Sequence, residues 1–307
     1  MTAAIDDVIA RVKAVYGRWR RDTPVARRRA DWDRLFDEPG DADVQAVDAA
    51  GVPCQWVVAP GARADRVVVY FHGGGFQLGS LASHRELMAG VSAAAGARVL
   101  GVGYRLAPEH RYPAALDDAL AAYRWLRSQG VSAGRIAVAG DSAGGGLGLS
   151  LLLALRRRGE PVPVAYWGLS AWTDLTASGE SYQTRAALDP IHQRPMIVAM
   201  ARDYLDGSGD PEDPLASPLF AEPDELAALP PMLLQVGERE TVVSDSEAFV
   251  RRALAAGARA ELQVWPGMIH VFQQFPALLA EARDALADGG RFLAARFDAA
   301  STRQTVR

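Results

Sequence analysis

The residue in this chain best placed to do chemistry is Ser142, in the run RIAVAGDSAGGGLGLSLLLAL. Gly140 and Gly144 stand two residues before and two after it, between a β-branched apolar run and an apolar run of helical length. That spacing lets the backbone turn sharply from strand to helix, so the hydroxyl stands at the carboxyl end of the strand and the next N–H, that of Ala143, points at the same space. A serine so placed acts as a nucleophile once a base takes its proton and donors hold the oxyanion that forms.

The run VVVYFHGGGFQLGS places three consecutive glycines, Gly73 to Gly75, directly after a second buried-strand pattern. Without side chains in the way, backbone N–H groups there can turn inward towards a developing negative charge. A phosphate cradle is the competing reading, yet no Gly-Lys-Ser/Thr follows and the spacing is not G-x-G-x-x-G. For the base there are five histidines, His72, His84, His110, His192 and His270. The order serine, acid, histidine suits a nucleophile on a strand-to-helix turn, and only His192 and His270 follow Ser142. Only His270, in VWPGMIHVFQQF, also follows the acidic loop GERETVVSD at Gly237 to Asp245. In that loop Ser244 and Glu247 read as a capping box with Asp245 in the first helical turn, which makes Asp245 structural. Glu238 and Glu240 remain, directly after the apolar run MLLQVG.

The elements that must position these groups follow from periodicity. VQAVD and CQWVVA flank Gly51 and Pro53 and read as a hairpin. RVVVYFH, ARVLGVGY, RIAVAGD, PVAYWGLS, MLLQVG and AELQVWPG follow, most of them separated by helix-length segments. This predicts a mainly parallel eight-stranded sheet with an antiparallel start and helices on both faces, an α/β architecture. Residues 1–40 fall outside the alternation as an Arg-rich amphipathic pattern, and 176–225 form an insert between the sixth and seventh strands. Met196, Met200 and Tyr204 recur at helical spacing in that insert.

Composition bounds the partners. A chain of 307 residues, 49% hydrophobic, can bury a large core. Its net charge of −4 provides no field to draw in nucleic acid or anionic lipid. The clusters Arg27–Arg29 and Arg156–Arg158 read as solvated faces, the second closing a helix ahead of Gly159. The lone Cys54 excludes a disulfide framework and a multi-cysteine metal site, so no metal is expected. The amino terminus lacks a signal-peptide pattern, and the most apolar run, Gly146 to Leu155, is about half of what a membrane span needs. A soluble, cytoplasmic protein is expected, with no nucleic-acid or membrane partner.

HGGGF, YRLAPEHRYPAALDD, GDSAGG and a late PGMIH, in that order, resemble the hormone-sensitive-lipase family of α/β-hydrolases, in its bacterial esterase branch. The resemblance runs from about Val67 to the carboxyl-terminal helix. It implies hydrolysis of small to medium carboxylic esters through a serine acyl-enzyme, with no cofactor, a small-molecule ester as partner, and room for a homodimer. Carried over by position, Ser142 is the nucleophile, His270 the base, and the N–H groups of Gly74, Gly75 and Ala143 the oxyanion hole. His72 and Asp141 become supports for the glycine loop and the elbow. Much of the family has aspartate in a Gly-x-x-Asp pattern; here Glu240 occupies that position, three residues after Gly237, and becomes the orienting acid. The resemblance further implies that residues 1–40 and the 176–225 insert form a helical cap on a catalytic domain of residues 41–307, with Phe76, Met196, Met200 and Phe220 lining the substrate pocket. Lactone, acetyl or formyl-amide hydrolysis by the same mechanism is the alternative activity, and a non-catalytic small-molecule binder the alternative class.

Overall fold

Among the described residues eight strands form one sheet: β1 (Asp43–Ala49), β2 (Val52–Val58), β3 (Arg63–Phe71), β4 (Ala97–Val102), β5 (Ile136–Asp141), β6 (Tyr166–Leu169), β7 (Met232–Gly237) and β8 (Ala260–Trp265). This is a computed structural model, and it describes residues 3–305 apart from 21, 37, 207 and 208. The spatial order is β1-β2-β4-β3-β5-β6-β7-β8. The β1–β2 and β2–β4 pairings are antiparallel, and all later ones are parallel.

Side-chain alternation explains why helices must cover both faces. Along β3, Val67, Val69 and Phe71 join one hydrophobic cluster and Val68 and Tyr70 join another on the opposite side. The first cluster takes in Leu120 of α4 (Ala114–Ser128), Leu151 of α5 (Ser142–Arg157) and Phe249 of α9 (Val243–Ala255). The second takes in Leu87 of α3 (Arg85–Ala95) together with Leu286 and Phe297 of α10 (Ala280–Thr305). β5, β6 and β7 are buried along their whole length, whereas the edge strand β1 is largely exposed and the edge strand β8 is mostly half-buried.

Two further groups of helices lie over the carboxyl edge of the sheet. In α1 (Ala3–Tyr16) and α2 (Val25–Leu35), Ile5, Val8, Val12, Trp32 and Leu35 pack with Met268, Ile269, Phe272 and Phe275, on either side of His270. Between β6 and β7 come α6 (Ser181–Thr184), α7 (Arg194–Leu205) and α8 (Pro223–Ala227). Arg29 departs from the expected solvated face: Nε donates to Gln77 O at 2.8 Å, Nη2 donates to Ala107 O at 2.9 Å, and the guanidinium pairs with Glu109. It ties α2 to the segment after the glycine loop. Arg27 does stay on the surface, and Arg157 at the end of α5 pairs with Glu225 of α8.

A close helix-to-sheet approach is at Gly289 of α10, where a Cβ would sit 2.0 Å from the ring of Trp167, itself 0% exposed. Replacing glycine by alanine in a helix ordinarily gains about 1 kcal/mol. Overpacking a rigid core costs about 1–3 kcal/mol, and here the indole has nowhere to go. Gly289→Ala is therefore expected to lower the thermal midpoint; an unchanged or raised midpoint in a melting curve would show that α10 shifts freely.

Candidate active site

Ser142 lies at the junction of β5 and α5 with φ of 51°. A non-glycine residue in this left-handed region costs on the order of 1–3 kcal/mol, so the turn has to be held from outside. Trp172 N–H donates to Ser142 O at 2.9 Å. Gly144 passes so close to β3 that a Cβ there would lie 2.1 Å from Phe71 O, which is why the position two residues after the serine admits no side chain. The hydroxyl faces a cavity rather than bulk solvent, with Ser142 only 9% exposed.

β3 delivers the glycine loop to the same edge. Gln77 and Leu78 N–H groups donate to Gly74 O at 3.1 and 2.8 Å, closing a turn. Gly74, at φ of 115°, occupies a backbone conformation open only to glycine. Among the described groups neither Gly74 nor Gly75 donates its N–H elsewhere, and both line the cavity beside Ser142. Asp141 joins the two loops: its Oδ1 accepts Gly73 N–H at 3.0 Å and the Tyr70 hydroxyl at 2.8 Å. Burial opposes that carboxylate, but His84 at 3.4 Å, the Tyr70 hydroxyl and His72 outweigh it and hold Asp141 below the usual range. His72, pushed down to about 4 by burial and by His84, stacks on Tyr104 and lies 2.8 Å from Gly73 O through Nδ1.

Glu240 and His270 meet 30 residues apart in the chain, Oε2 of the one hydrogen-bonded to Nδ1 of the other. Oε1 accepts the Ser170 hydroxyl at 2.9 Å and the Gly237 N–H. Ser170 in turn accepts Val271 N–H at 3.0 Å, so one side chain at the end of β6 holds both the acid and the histidine loop. Burial opposes the imidazolium, yet Glu240, with Asp189 and Asp141 farther off, prevails and raises His270 above its ordinary value. His270 Nε2 is buried without a hydrogen-bond partner in the cavity it shares with Ser142. A base–nucleophile contact of this kind commonly closes only with substrate in place.

The capping box expected at Ser244 and Glu247 is absent. Helix α9 starts at Val243 with Val242 at the cap and no side-chain cap bond, Glu247 is exposed, and Ser244 is bonded to Ser181 of the insert. Asp245 is nonetheless committed: its Oδ2 accepts Thr173 and Asp174 N–H at 3.3 and 3.1 Å and the Tyr182 hydroxyl at 3.3 Å. A partner across the fold, not the helix end, fixes this residue. Burial and Asp174 push its carboxyl well up.

The cavity above Ser142 holds about 30 Å³ of water-accessible space. Val12, Tyr16 and Trp32 reach it from α1 and α2, His192, Ile197 and Met200 from the insert, and Phe275 from the loop after β8. Of the four residues expected to line it, only Met200 does. Phe76 is instead 3% exposed and stacked on Tyr204 at 3.8 Å between ring centroids. Met196 lies one turn, about 6 Å of helix rise, before Met200 and packs on the core, while Phe220 sits half-buried in a short turn at Pro218–Phe220. Tyr16 and Trp32 went unread as lining residues, although the spacing of Val8, Val12 and Tyr16 marks one apolar stripe that continues into the cavity. Ser170 carried no sequence signal beyond its place at the end of a strand.

The strand order, the elbow and the loops gathered at the carboxyl edge define the α/β-hydrolase architecture. Residues 68–274 match the profile of a family described by the alpha/beta hydrolase fold. The chain is 41% identical over 276 residues to an acetyl-hydrolase of Streptomyces hygroscopicus, covering 89% of this chain and 91% of the relative. It is 36% identical over 259 residues to an esterase of Acinetobacter venetianus, covering 84% of each. The crystal structure of an esterase from the bacterial hormone-sensitive lipase family, 43% identical, superposes with a TM-score of 0.92 over 97% of this chain and 99% of that one. The chain belongs to the α/β-hydrolase family, in its hormone-sensitive-lipase branch, and is a carboxylic ester hydrolase. No helix among the described residues is long and apolar enough to cross a membrane.

The two buried acids separate experimentally. Glu240→Gln is expected to lower kcat by on the order of 10²- to 10⁴-fold. Because the carboxylate raises His270 and the neutral imidazole is the competent base, the acid limb of kcat/KM should also move to lower pH. Asp245→Ala orphans three donors and should lower the thermal midpoint by several degrees while leaving kcat within about threefold. The opposite assignment of effects would exchange the two roles.

Proposed function

We propose that the chain hydrolyses esters with small acyl groups through an acyl-enzyme on Ser142. The supporting observation is the buried Glu240–His270 pair opening into the same cavity as Ser142 and the undonated N–H groups of Gly74 and Gly75. His270 Nε2 takes the proton as Ser142 Oγ attacks the acyl carbon, and the N–H groups of Gly74, Gly75 and Ala143 receive the oxyanion. The imidazolium then protonates the departing alkoxide, the ester C–O bond breaks, and water repeats the sequence to release the acid and regenerate the serine. Glu240 accepts the Nδ1 proton bond throughout, fixing the ring and balancing its charge.

The apolar side chains that crowd the space above Ser142, among them Tyr16, Trp32, Met200 and Phe275, favour acetyl and other short acyl groups, in keeping with the acetyl-hydrolase name of the Streptomyces relative. Within the same proposal, residues 1–40 and 176–225 act as the cap on a catalytic body of residues 41–307, supported by the side chains that both segments send into the cavity. A cytoplasmic setting, supported by the single buried Cys54, belongs to the same proposal, which leaves room for a homodimer.

Ser142→Ala is expected to abolish turnover of p-nitrophenyl acetate and labelling by a fluorophosphonate while the melting curve stays near that of the parent. Activity within tenfold of the parent would remove the nucleophile assignment, and a parent that neither hydrolyses nor labels would favour a binder on this fold. Chain-length preference follows from Met200, whose sulfur lies 2.5 Å from where a Cβ on Gly75 would be. Met200→Ala should shift the optimum towards longer acyl chains, and Met196→Ala should leave it unchanged; equal effects in a p-nitrophenyl ester series would mean that α7 acts on the cavity as a whole.

A further inference from the structure

Asp189 lies in the insert between β6 and β7, and its side chain is 0% exposed. Its carboxylate takes four donors from two separate segments. Oδ1 accepts the N–H groups of Ile191 and His192 at 2.8 and 2.9 Å. Oδ2 accepts the N–H and the hydroxyl of Thr241 at 2.8 and 3.2 Å. Thr241 directly follows Glu240, so this carboxylate fastens the insert to the acid loop one residue from the group that holds His270. On its other side it sets His192, whose Nδ1 is 4.0 Å from Oδ2 and whose ring meets that of His270 edge to face at 4.4 Å and 85°.

All four donors are uncharged, so they satisfy the carboxylate's hydrogen bonds without cancelling its charge. A charge held in a water-excluded site acts on its neighbours more strongly than in solution and needs no reorganisation when the reaction occurs. We propose that Asp189 is a positioning residue for ester hydrolysis: it locks the Glu240 loop to the insert, holds the His192 ring against His270, and stabilises the imidazolium that forms when His270 takes the Ser142 proton. The inference rests on the acyl-enzyme reading above. The titratable groups facing His270 are Glu240, His192, Asp189 and Asp141. Burial and His270 itself push His192 down to about 3, so it faces the catalytic ring as a neutral group. Tyr16 is also held neutral, pushed up by burial and by Asp189. The field at His270 is therefore set by carboxylates, and Asp189 is the one supplied by the insert.

The test compares Asp189→Asn and Asp189→Glu with the parent on p-nitrophenyl acetate across pH, counting active sites by fluorophosphonate labelling. Asp189→Asn is expected to lower kcat on the order of 10- to 100-fold, less than loss of a triad acid, with KM changed by no more than about threefold. Its acid limb should move down by roughly half a pH unit or more, because a carboxylate that favours the imidazolium is gone. Asp189→Glu restores the charge but not the four-donor geometry, so the acid limb should return to the parent value while kcat stays about fivefold or more below it. An acid limb of Asp189→Asn coincident with the parent's would overturn the proposal and leave Asp189 as a fold staple. If Asp189→Asn does not fold, kcat per labelled site of Asp189→Glu decides: a fivefold fall supports the role and parental kcat overturns it. A parent without turnover or labelling would defeat the esterase reading itself, which is a different outcome from an active parent with indifferent variants.

Discussion

A carboxylate buried to 0% exposure, that of Glu240, is the constraint on which the site depends. An ionised group so far from water is costly unless every lone pair is met, and Glu240 is met by the Gly237 N–H, the Ser170 hydroxyl and His270 Nδ1. Each of those partners comes from a different place: the end of β7, the end of β6 and the loop after β8. Meeting the carboxylate therefore aligns three strand ends at once. Burial pushes the Glu240 carboxyl up, and the histidine opposite works against that push. The pair is tuned by the same exclusion of water that makes it expensive.

Parallel strands make this convergence available. With β3, β5, β6, β7 and β8 running in the same direction, their carboxyl ends share one edge, and the glycine loop, Ser142, Ser170, Glu240 and His270 all follow from those ends. Helices on the two faces leave that edge open, and it is covered by the amino-terminal helices and the insert. The cover is bonded as well as packed. Arg29 anchors one part to backbone carbonyls near the glycine loop, and Asp189 and Ser181 anchor the other to the segment that follows Glu240. A cover held this way can influence the chemistry below it as well as the size of what enters.

Legibility in the sequence divided along physical lines. Strand and helix periods, the glycines around Ser142 and the order of acidic loop and histidine are local or one-dimensional properties, and they could be read directly. Asp245 shows the limit. Its neighbours have the composition of a capping box, but the helix begins two residues earlier and the side chain takes partners some 70 residues away, at Thr173 and Asp174. The pocket residues show the same limit: helical spacing identified a stripe containing Met196 and Met200, while the face of α7 that meets the cavity carries Ile197 and Met200 and leaves Met196 out.

The chain by itself thus determined an eight-stranded, mainly parallel sheet and the candidates Ser142 and His270, because hydrophobic period, glycine spacing and chain order are set by covalent neighbours; between Glu238 and Glu240 it decided only through the resemblance of the acidic loop to the family pattern. The tertiary structure alone decided which buried groups meet across long separations: Ser170 between the acid and the histidine loop, Tyr16 and Trp32 at the cavity, and Asp189 against Thr241. Hydrogen bonds between segments far apart in sequence depend on how two covers settle on one sheet edge, and no local pattern of residues encodes that distance.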